Sequence, residues 1–106
     1  MNFLDIIQAE HKKWTDKNFP GAPAWQSFVG MTEELGELAH AFLKNEQGIR
    51  LNEDHEMKMK DAIGDIIIYS LHFCSLHNWQ LSDIIRDTWQ EVRERDWQKN
   101  KKNGLE

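Results

Sequence analysis

Five carboxylates at helical spacing, in two separate segments, most constrain what this chain can fold into. The first segment, TEELGELAHAF, carries Glu33, Glu34 and Glu37, and the second, KDAIGDIIIYS, carries Asp61 and Asp65. The second pair lies in strongly apolar surroundings. Because an ionised carboxylate withdrawn from water is costly unless a positive charge meets it, an acid beside a run of isoleucines needs a partner. The pattern therefore predicts a divalent cation held between helical acids.

The length of the chain limits its hydrophobic core. With 106 residues it makes a single domain, and a domain of this size buries only about 60–65% of its unfolded surface. The chain nevertheless has five Trp and five Phe, and its third helical segment is apolar nearly all round. We therefore expect another subunit to cover part of this surface in a homodimer or homotetramer.

Charge and cysteine content exclude several classes of protein. The net charge of -5 argues against nucleic-acid and membrane binders, since both need an excess of Lys and Arg. The single cysteine, Cys74, cannot form an internal disulfide and lies in an apolar run, which indicates packing in a reducing compartment. No basic leader or long apolar stretch is present. The expected location is the cytoplasm, with neither nucleic acid nor membrane as a partner.

Apolar periodicity predicts four helices and no strand, over about 2–17, 24–44, 52–76 and 82–99. Asn2, Asn52 and Ser82 are the expected N-caps of the first, third and fourth helices. The residues expected to face inward are Phe28, Met31, Leu35, Leu38, Ala39 and Phe42 in the second helix, and Ile85, Trp89 and Val92 in the fourth. Short connections predict an all-α, four-helix bundle-like protomer over residues 1–106, with a frayed tail at about 100–106.

The five acids can face one point if the second and third helices pack antiparallel. At about 100° per residue, the three glutamates fall within an arc of about 100°. Asp61 and Asp65 are one helical turn apart. An all-oxygen site of this kind suits Mg²⁺ or Mn²⁺. The alternative for the three glutamates is a solvated helix face. Asp65 argues against a purely solvated set of acids, because exposing it would also expose the isoleucines beside it.

Three short motifs resemble those of the MazG-like family of all-α nucleoside triphosphate pyrophosphohydrolases. They are EELGEL at 33–38, DAIGDI at 61–66 and VRERDW at 92–97, and the likeness spans about residues 14–98. The resemblance implies an EExxE helix and an ExxD helix that hold Mg²⁺ while water attacks a (d)NTP, releasing the monophosphate and pyrophosphate. By position, it assigns Glu34, Glu37 and Asp65 to the metal, and Glu33 to an acid that binds metal or orients the water.

One position departs from the pattern of that family. The first acid of ExxD would fall at Ala62, so either Asp61 substitutes as a ligand or the site has one ligand fewer. The acids make chemical sense without the resemblance, because a carboxylate pocket can hold a triphosphate only through bridging cations. The motifs GxxxxGK[ST], GxGxxG, CxxC and HExxH, which serve other phosphate, dinucleotide and zinc sites, do not occur.

Residues outside the acidic segments are candidates for binding the substrate. Arg95 resembles the basic position near the carboxyl end of that family, and with Lys99 it is assigned to phosphate, although both also suit the end of a helix dipole. Tyr69 and His72 follow the second acidic pair on the same face, where they contact the nucleoside or pack in the core. Trp25 and Phe19 flank the Pro/Gly-rich first loop, where they form either a platform for the base or a staple under the loop, and Trp25 is the preferred candidate for the platform.

Two other functions fit the sequence. Glu37 and His40 have the Glu-x-x-His spacing of carboxylate-bridged di-iron bundles, which require two such motifs, and only one is present. The acids also fit a surface patch on a non-enzymatic helical interaction module. Metal-dependent turnover of nucleoside triphosphates would distinguish the proposed enzyme from that module.

Overall fold

The computed structural model describes residues 2–96 and 98. Within this part the chain forms four α-helices and no strand, namely α1 (Phe3–Asn18), α2 (Ala24–Gln47), α3 (His55–Leu76) and α4 (Leu81–Arg93). The predicted all-α class is confirmed. None of the helices described is long and apolar enough to cross a membrane. Lys99 and the tail expected to fray lie outside the described residues.

Local signals set the ends of α1 and α2. Asn2 caps α1 as predicted, because its side chain accepts a hydrogen bond from the backbone of Asp5 at 2.9 Å while the Asp5 carboxylate accepts from the backbone of Asn2. Helix α2 runs three residues past its predicted end, to Gln47. It stops at Gly48, whose left-handed φ of 66° suits glycine and closes the last turn.

The predicted caps of α3 and α4 are wrong. Helix α3 is capped by Asp54, which accepts from the backbone of Met57 at 3.0 Å, so that Asn52 stays in the preceding loop. Helix α4 begins after Gln80 instead of Ser82. The Ser82 hydroxyl donates a hydrogen bond to the carboxylate of Asp5 in α1, a contact between distant parts of the chain, instead of capping α4. Helix α4 also ends earlier than predicted, at Arg93.

Helices α2 and α3 form an antiparallel hairpin. Ser27 hydrogen-bonds to His72, and Met31 accepts a hydrogen bond from Ser70. Later residues of α2 therefore contact earlier residues of α3, which is the pairing of antiparallel helices. The face of α2 turned toward α3 carries small buried residues, Ser27, Gly30 and Ala41. Small side chains let the two helix axes approach closely.

Helix α1 crosses the end of this hairpin and joins it to α4. The side-chain amide of the buried Gln8 donates to Ser75 and to the backbone oxygen of Trp79 at 2.8 Å, and its oxygen accepts from the backbone of Leu81 at 3.0 Å. The buried apolar cluster lies at the same place and consists of Leu71, Cys74 and Leu81. The packing role expected for Cys74 is confirmed. One glutamine of α1 thus ties together the end of α3 and the beginning of α4.

Much of the apolar surface stays open in the single chain. Of the residues predicted to face inward, Met31, Leu38 and Val92 are half-buried. The others are exposed, including Phe28, Leu35, Phe42, Ile85 and Trp89. The Cα radius of gyration is 17.4 Å, whereas a compact domain of about 100 residues has about 13 Å. Within the residues described, α4 makes no close contact with α2, so the four helices do not close into a bundle. The prediction is wrong for the exposed residues, because hydrophobic spacing marks the apolar side of a helix without showing what covers it.

Candidate functional site

Two adjoining cavities follow the α2–α3 hairpin. The aromatic cavity, of about 440 Å³, lies between α1, the first loop and the hairpin, and its rings are those of Trp14, Phe19 and Tyr69. The acidic cavity, of about 670 Å³, lies further along the hairpin. Glu34 and Asp65 line both cavities. A bound molecule could therefore extend from aromatic rings to a cluster of carboxylates without leaving the groove.

All five acids singled out in the sequence line the acidic cavity. Glu33, Glu34 and Glu37 come from α2, and Asp61 and Asp65 come from α3. The antiparallel hairpin therefore brings the two acidic segments to one place, as their helical spacing requires. Four of these side chains are exposed, and only Glu34 is partly buried.

Glu34 is the acid withdrawn from water. One of its carboxylate oxygens, Oε2, is buried and has no hydrogen-bond partner. Burial raises the pKa of Glu34 above its ordinary value, and the nearby carboxylates of Glu37 and Asp65 raise it further. An ionised Glu34 is thus destabilised in the bare protein, and a cation in the acidic cavity would relieve both the desolvation and the repulsion.

Asp65 lies differently from what the sequence indicates. It was expected to be withdrawn from water by its apolar neighbours, but it is exposed. The reason is that Ile63 and Ile67 beside it are also exposed, so this face of α3 is open in the single chain. The acid with a buried oxygen is instead Glu34, across the groove on α2.

The residues fit an incompletely coordinated ion. Among the residues described, no three His, Cys, Asp or Glu side chains already form a closed ligand group. Mg²⁺ commonly binds through one or two carboxylates and takes its remaining ligands from water and substrate phosphates. The unpartnered Glu34 oxygen and the four exposed acids at the rim suit that mode of binding.

Asp61 and Ala62 both line the acidic cavity, and of the two only Asp61 has a carboxylate. Ala62 is only 2% exposed and lies against α2, whereas Asp61 is exposed. A short, small residue at 62 keeps the two helices close. Asp61 reaches the same cavity from one position earlier on α3.

The aromatic cavity contains two of the three residues predicted to bind the nucleoside. Tyr69 and His72 line it, but Trp25 is 64% exposed and lines neither cavity. Phe19, the other ring expected beside the first loop, also lines the aromatic cavity, together with Trp14, which the sequence did not indicate as a ligand-binding residue. The rings of Trp14 and Phe19 pack edge to face with centroids 5.6 Å apart. They come from α1 and the first loop, so only the tertiary fold brings them to the site.

A pair of histidines lies in the wall of this cavity. Ser27 and Nδ1 of His72 are joined by a hydrogen bond of 2.7 Å, and the ring of His11 packs edge to face on His72 at 5.6 Å. Burial lowers the pKa of His72, although Asp16 raises it somewhat, and burial together with His72 lowers the pKa of His11. Nε2 of His72 is buried without a partner. That nitrogen is a hydrogen-bonding group left for a ligand.

Of the two basic residues predicted to bind phosphate, only Arg95 is among the residues described. Arg95 lines neither cavity, and its guanidinium lies 3.5 Å from the Glu91 carboxylate. Lys58, which was not among the predicted site residues, lines the acidic cavity. Its spacing of seven residues from Asp65, which places both on one helix face, was the signal available in the sequence.

Comparison with models of protein families, with curated proteins and with solved structures finds no match to this chain. The likeness of its motifs to the MazG-like family stays an expectation from the sequence. The function is therefore argued from the two cavities and the residues that line them.

Proposed function

We propose that the protein is a Mg²⁺-dependent nucleoside triphosphate pyrophosphohydrolase that converts a (d)NTP and water into the (d)NMP and pyrophosphate. The observation that carries this proposal is the sharing of Glu34 and Asp65 between an acidic and an aromatic cavity. A nucleoside triphosphate has the same two parts. Its phosphate chain can lie among carboxylates only with bridging cations, and its base packs on aromatic rings.

The residues that would hold the cation are Glu34, Glu37, Asp61 and Asp65, all of which line the acidic cavity. Mg²⁺, or Mn²⁺ in its place, neutralises phosphate oxygens when bound and so supplies the electrostatic stabilisation on which phosphoryl transfer depends. The acids of the chain orient it from both sides of the groove. Because the ionised carboxylate of Glu34 is destabilised without a cation, binding of the ion should stabilise the folded protein.

Glu33 is proposed to position the attacking water, since it lines the acidic cavity and is exposed there. The water oxygen bonds to the α- or the β-phosphorus. The bond between that phosphorus atom and the oxygen that bridges the α- and β-phosphates breaks. Glu33 accepts the proton that the water loses. Pyrophosphate and the monophosphate are the two products, so atoms and charge balance.

Tyr69, Trp14 and Phe19 are proposed to pack on the nucleoside, with His72 as its hydrogen-bonding partner. The hydroxyl of Ser27 holds the His72 ring in place through Nδ1, which leaves Nε2 for the ligand. Arg95, which lines neither cavity, is not part of this arrangement, and Lys99 lies outside the described residues. A nucleotide substrate agrees with the cytoplasmic location expected from the sequence.

We also propose that a second copy of this chain covers the open apolar faces, in a homodimer or homotetramer that completes the helical bundle. The exposed side chains include Phe28, Leu35 and Phe42 on α2, and Ile85 and Trp89 on α4. A monomer rarely leaves so many large apolar residues in water. Identical subunits supply matching apolar surface without a further partner.

Product analysis with each common NTP and dNTP tests the proposed function. Chromatography should detect the monophosphate, and an enzyme-coupled assay should detect pyrophosphate, in the presence of Mg²⁺ and not in excess chelator. Formation of the diphosphate with orthophosphate would overturn the proposal. Full activity in excess EDTA would overturn it as well.

A further inference from the structure

Lys58 differs from the other residues of the acidic cavity. It is the only Lys or Arg among the described residues that line this cavity, where five carboxylates surround the groove. Its ammonium lies 3.2 Å from the carboxylate of Glu53, in the loop that precedes α3. This ion pair draws Lys58 toward the loop end of the hairpin, away from the aromatic cavity.

The residues that define the groove lie on one face of α3. Lys58, Asp65 and His72 are spaced seven residues apart. Seven residues make almost two full helical turns and advance about 10 Å, so the three side chains follow one another along the same face. The order along the groove is therefore a histidine beside aromatic rings, then the shared acids, and then an ammonium group.

This order matches the charge order of a nucleoside triphosphate. The terminal phosphate bears more charge than the inner phosphates, because only it has a second ionisable oxygen. Surrounding carboxylates repel such a group wherever no cation intervenes. A lysine ammonium is a compact point charge that binds phosphate well and supplies the missing cation from the protein itself.

We propose that Lys58 binds the terminal phosphate of the substrate, which leaves within pyrophosphate, and that it thereby sets the direction in which the triphosphate lies along the hairpin. The inference rests on the proposed function. Glu53 holds the ammonium at the end of the groove. The nucleoside end of the substrate lies at His72, and the scissile bond lies between them, beside the shared acids.

Calorimetric binding of inorganic pyrophosphate and tripolyphosphate in Mg²⁺ tests this assignment without turnover. Lys58→Gln should weaken both affinities about tenfold, the value expected for one lost charge-assisted hydrogen bond. Binding of a nucleoside monophosphate should not change, because that ligand lacks the terminal phosphate. In turnover, KM for the triphosphate should rise about tenfold, with a smaller change in kcat.

Two control variants separate phosphate binding from other effects of the substitution. Lys60→Gln removes the same charge from α3, but Lys60 pairs with Glu56 at 3.0 Å and lines neither cavity, so polyphosphate binding should be unaffected. Glu53→Gln breaks the same ion pair while keeping the ammonium, and its effect should be the smaller one. Equal losses in Glu53→Gln and Lys58→Gln, or no difference between Lys58→Gln and Lys60→Gln, would overturn the inference. A wild-type protein that binds polyphosphate through Lys58 but hydrolyses no nucleotide would instead overturn the proposed function.

Discussion

The ring of Tyr69 lies directly against Gly30, so closely that a Cβ atom at residue 30 would be 2.6 Å from two of its ring atoms. Gly30 is buried in α2, three residues from Ser27 and four from Glu34. The contact therefore sits between the Ser27–His72 hydrogen bond and the buried carboxylate. By setting the distance between α2 and α3 there, it shapes the junction of the aromatic and acidic cavities.

Gly30→Ala should destabilise the fold by about 1–3 kcal/mol, because the added methyl group must displace the Tyr69 ring from between the helices. Gly36→Ala is the matched control. A Cβ at Gly36 meets nothing within 4 Å, so alanine should stabilise α2 by about 0.5–1 kcal/mol. Urea denaturation followed by circular dichroism measures both. Equal stability of the two variants would show that the Tyr69 ring yields freely.

Glu37→Gln and Asp65→Asn should each lower turnover by orders of magnitude, because both side chains line the acidic cavity where the cation is proposed to bind. Both are exposed, so helical circular dichroism should be unchanged. Glu46→Gln is the control, since Glu46 is an exposed acid of α2 that lines neither cavity. Near-normal turnover of either variant at saturating Mg²⁺ would remove that residue from the metal site.

Glu34→Gln should raise the melting temperature at neutral pH in metal-free buffer. The raised pKa of Glu34 means that the folded protein favours the protonated carboxyl group. The stability gained from this protonated group is fully present below the ordinary carboxyl pKa, about 4.3. It is lost as the pH rises through the higher pKa of the folded state. The gain from glutamine should therefore shrink as pH is lowered.

Mg²⁺ gives the companion measurement for Glu34. Added ion should raise the melting temperature of the wild-type protein more than that of Glu34→Gln, since the ion binds the folded site. Glu46→Gln should respond like the wild type. A Glu34→Gln protein less stable than the wild type at pH 7 without metal would contradict the electrostatic account of this carboxylate.

Trp14→Leu should raise KM for the nucleotide about tenfold, because stacking of a base on an aromatic side chain contributes about 1–3 kcal/mol. Trp25→Leu is the comparison, and it should leave KM unchanged, since Trp25 lines neither cavity. Light scattering on both variants controls for changes in assembly. An effect of Trp25→Leu with no effect of Trp14→Leu would restore the platform expected from the sequence.

Light scattering at micromolar concentration should give a multiple of the 12.6 kDa chain mass. Phe42→Glu should shift the protein toward monomer, because it places a charge among the exposed apolar residues of α2. Lys44→Glu changes charge on the same helix without touching an apolar residue and should keep the assembly intact. A wild-type protein that is monomeric throughout would contradict the proposed oligomer.

The sequence by itself determined that the chain forms four helices and that the five acids belong together. Asn2 and Gly48 end their helices through short-range hydrogen bonds and backbone conformation, which nearby residues decide. The five acids were identified as one group from helical spacing alone, because α2 and α3 are neighbours joined by a short loop and can pack only as an antiparallel pair.

Only the tertiary structure decided which faces meet. Helix α2 turns Ser27, Gly30 and Ala41 toward α3 and leaves its larger apolar side chains open, because close approach to Tyr69 requires small residues. Hydrophobic spacing could not distinguish a face that packs within the chain from one left for a partner. The same holds for the pairing of His11 with His72 and for the burial of Glu34 rather than Asp65. Each depends on contacts between residues far apart in the chain, which spacing within one helix does not encode.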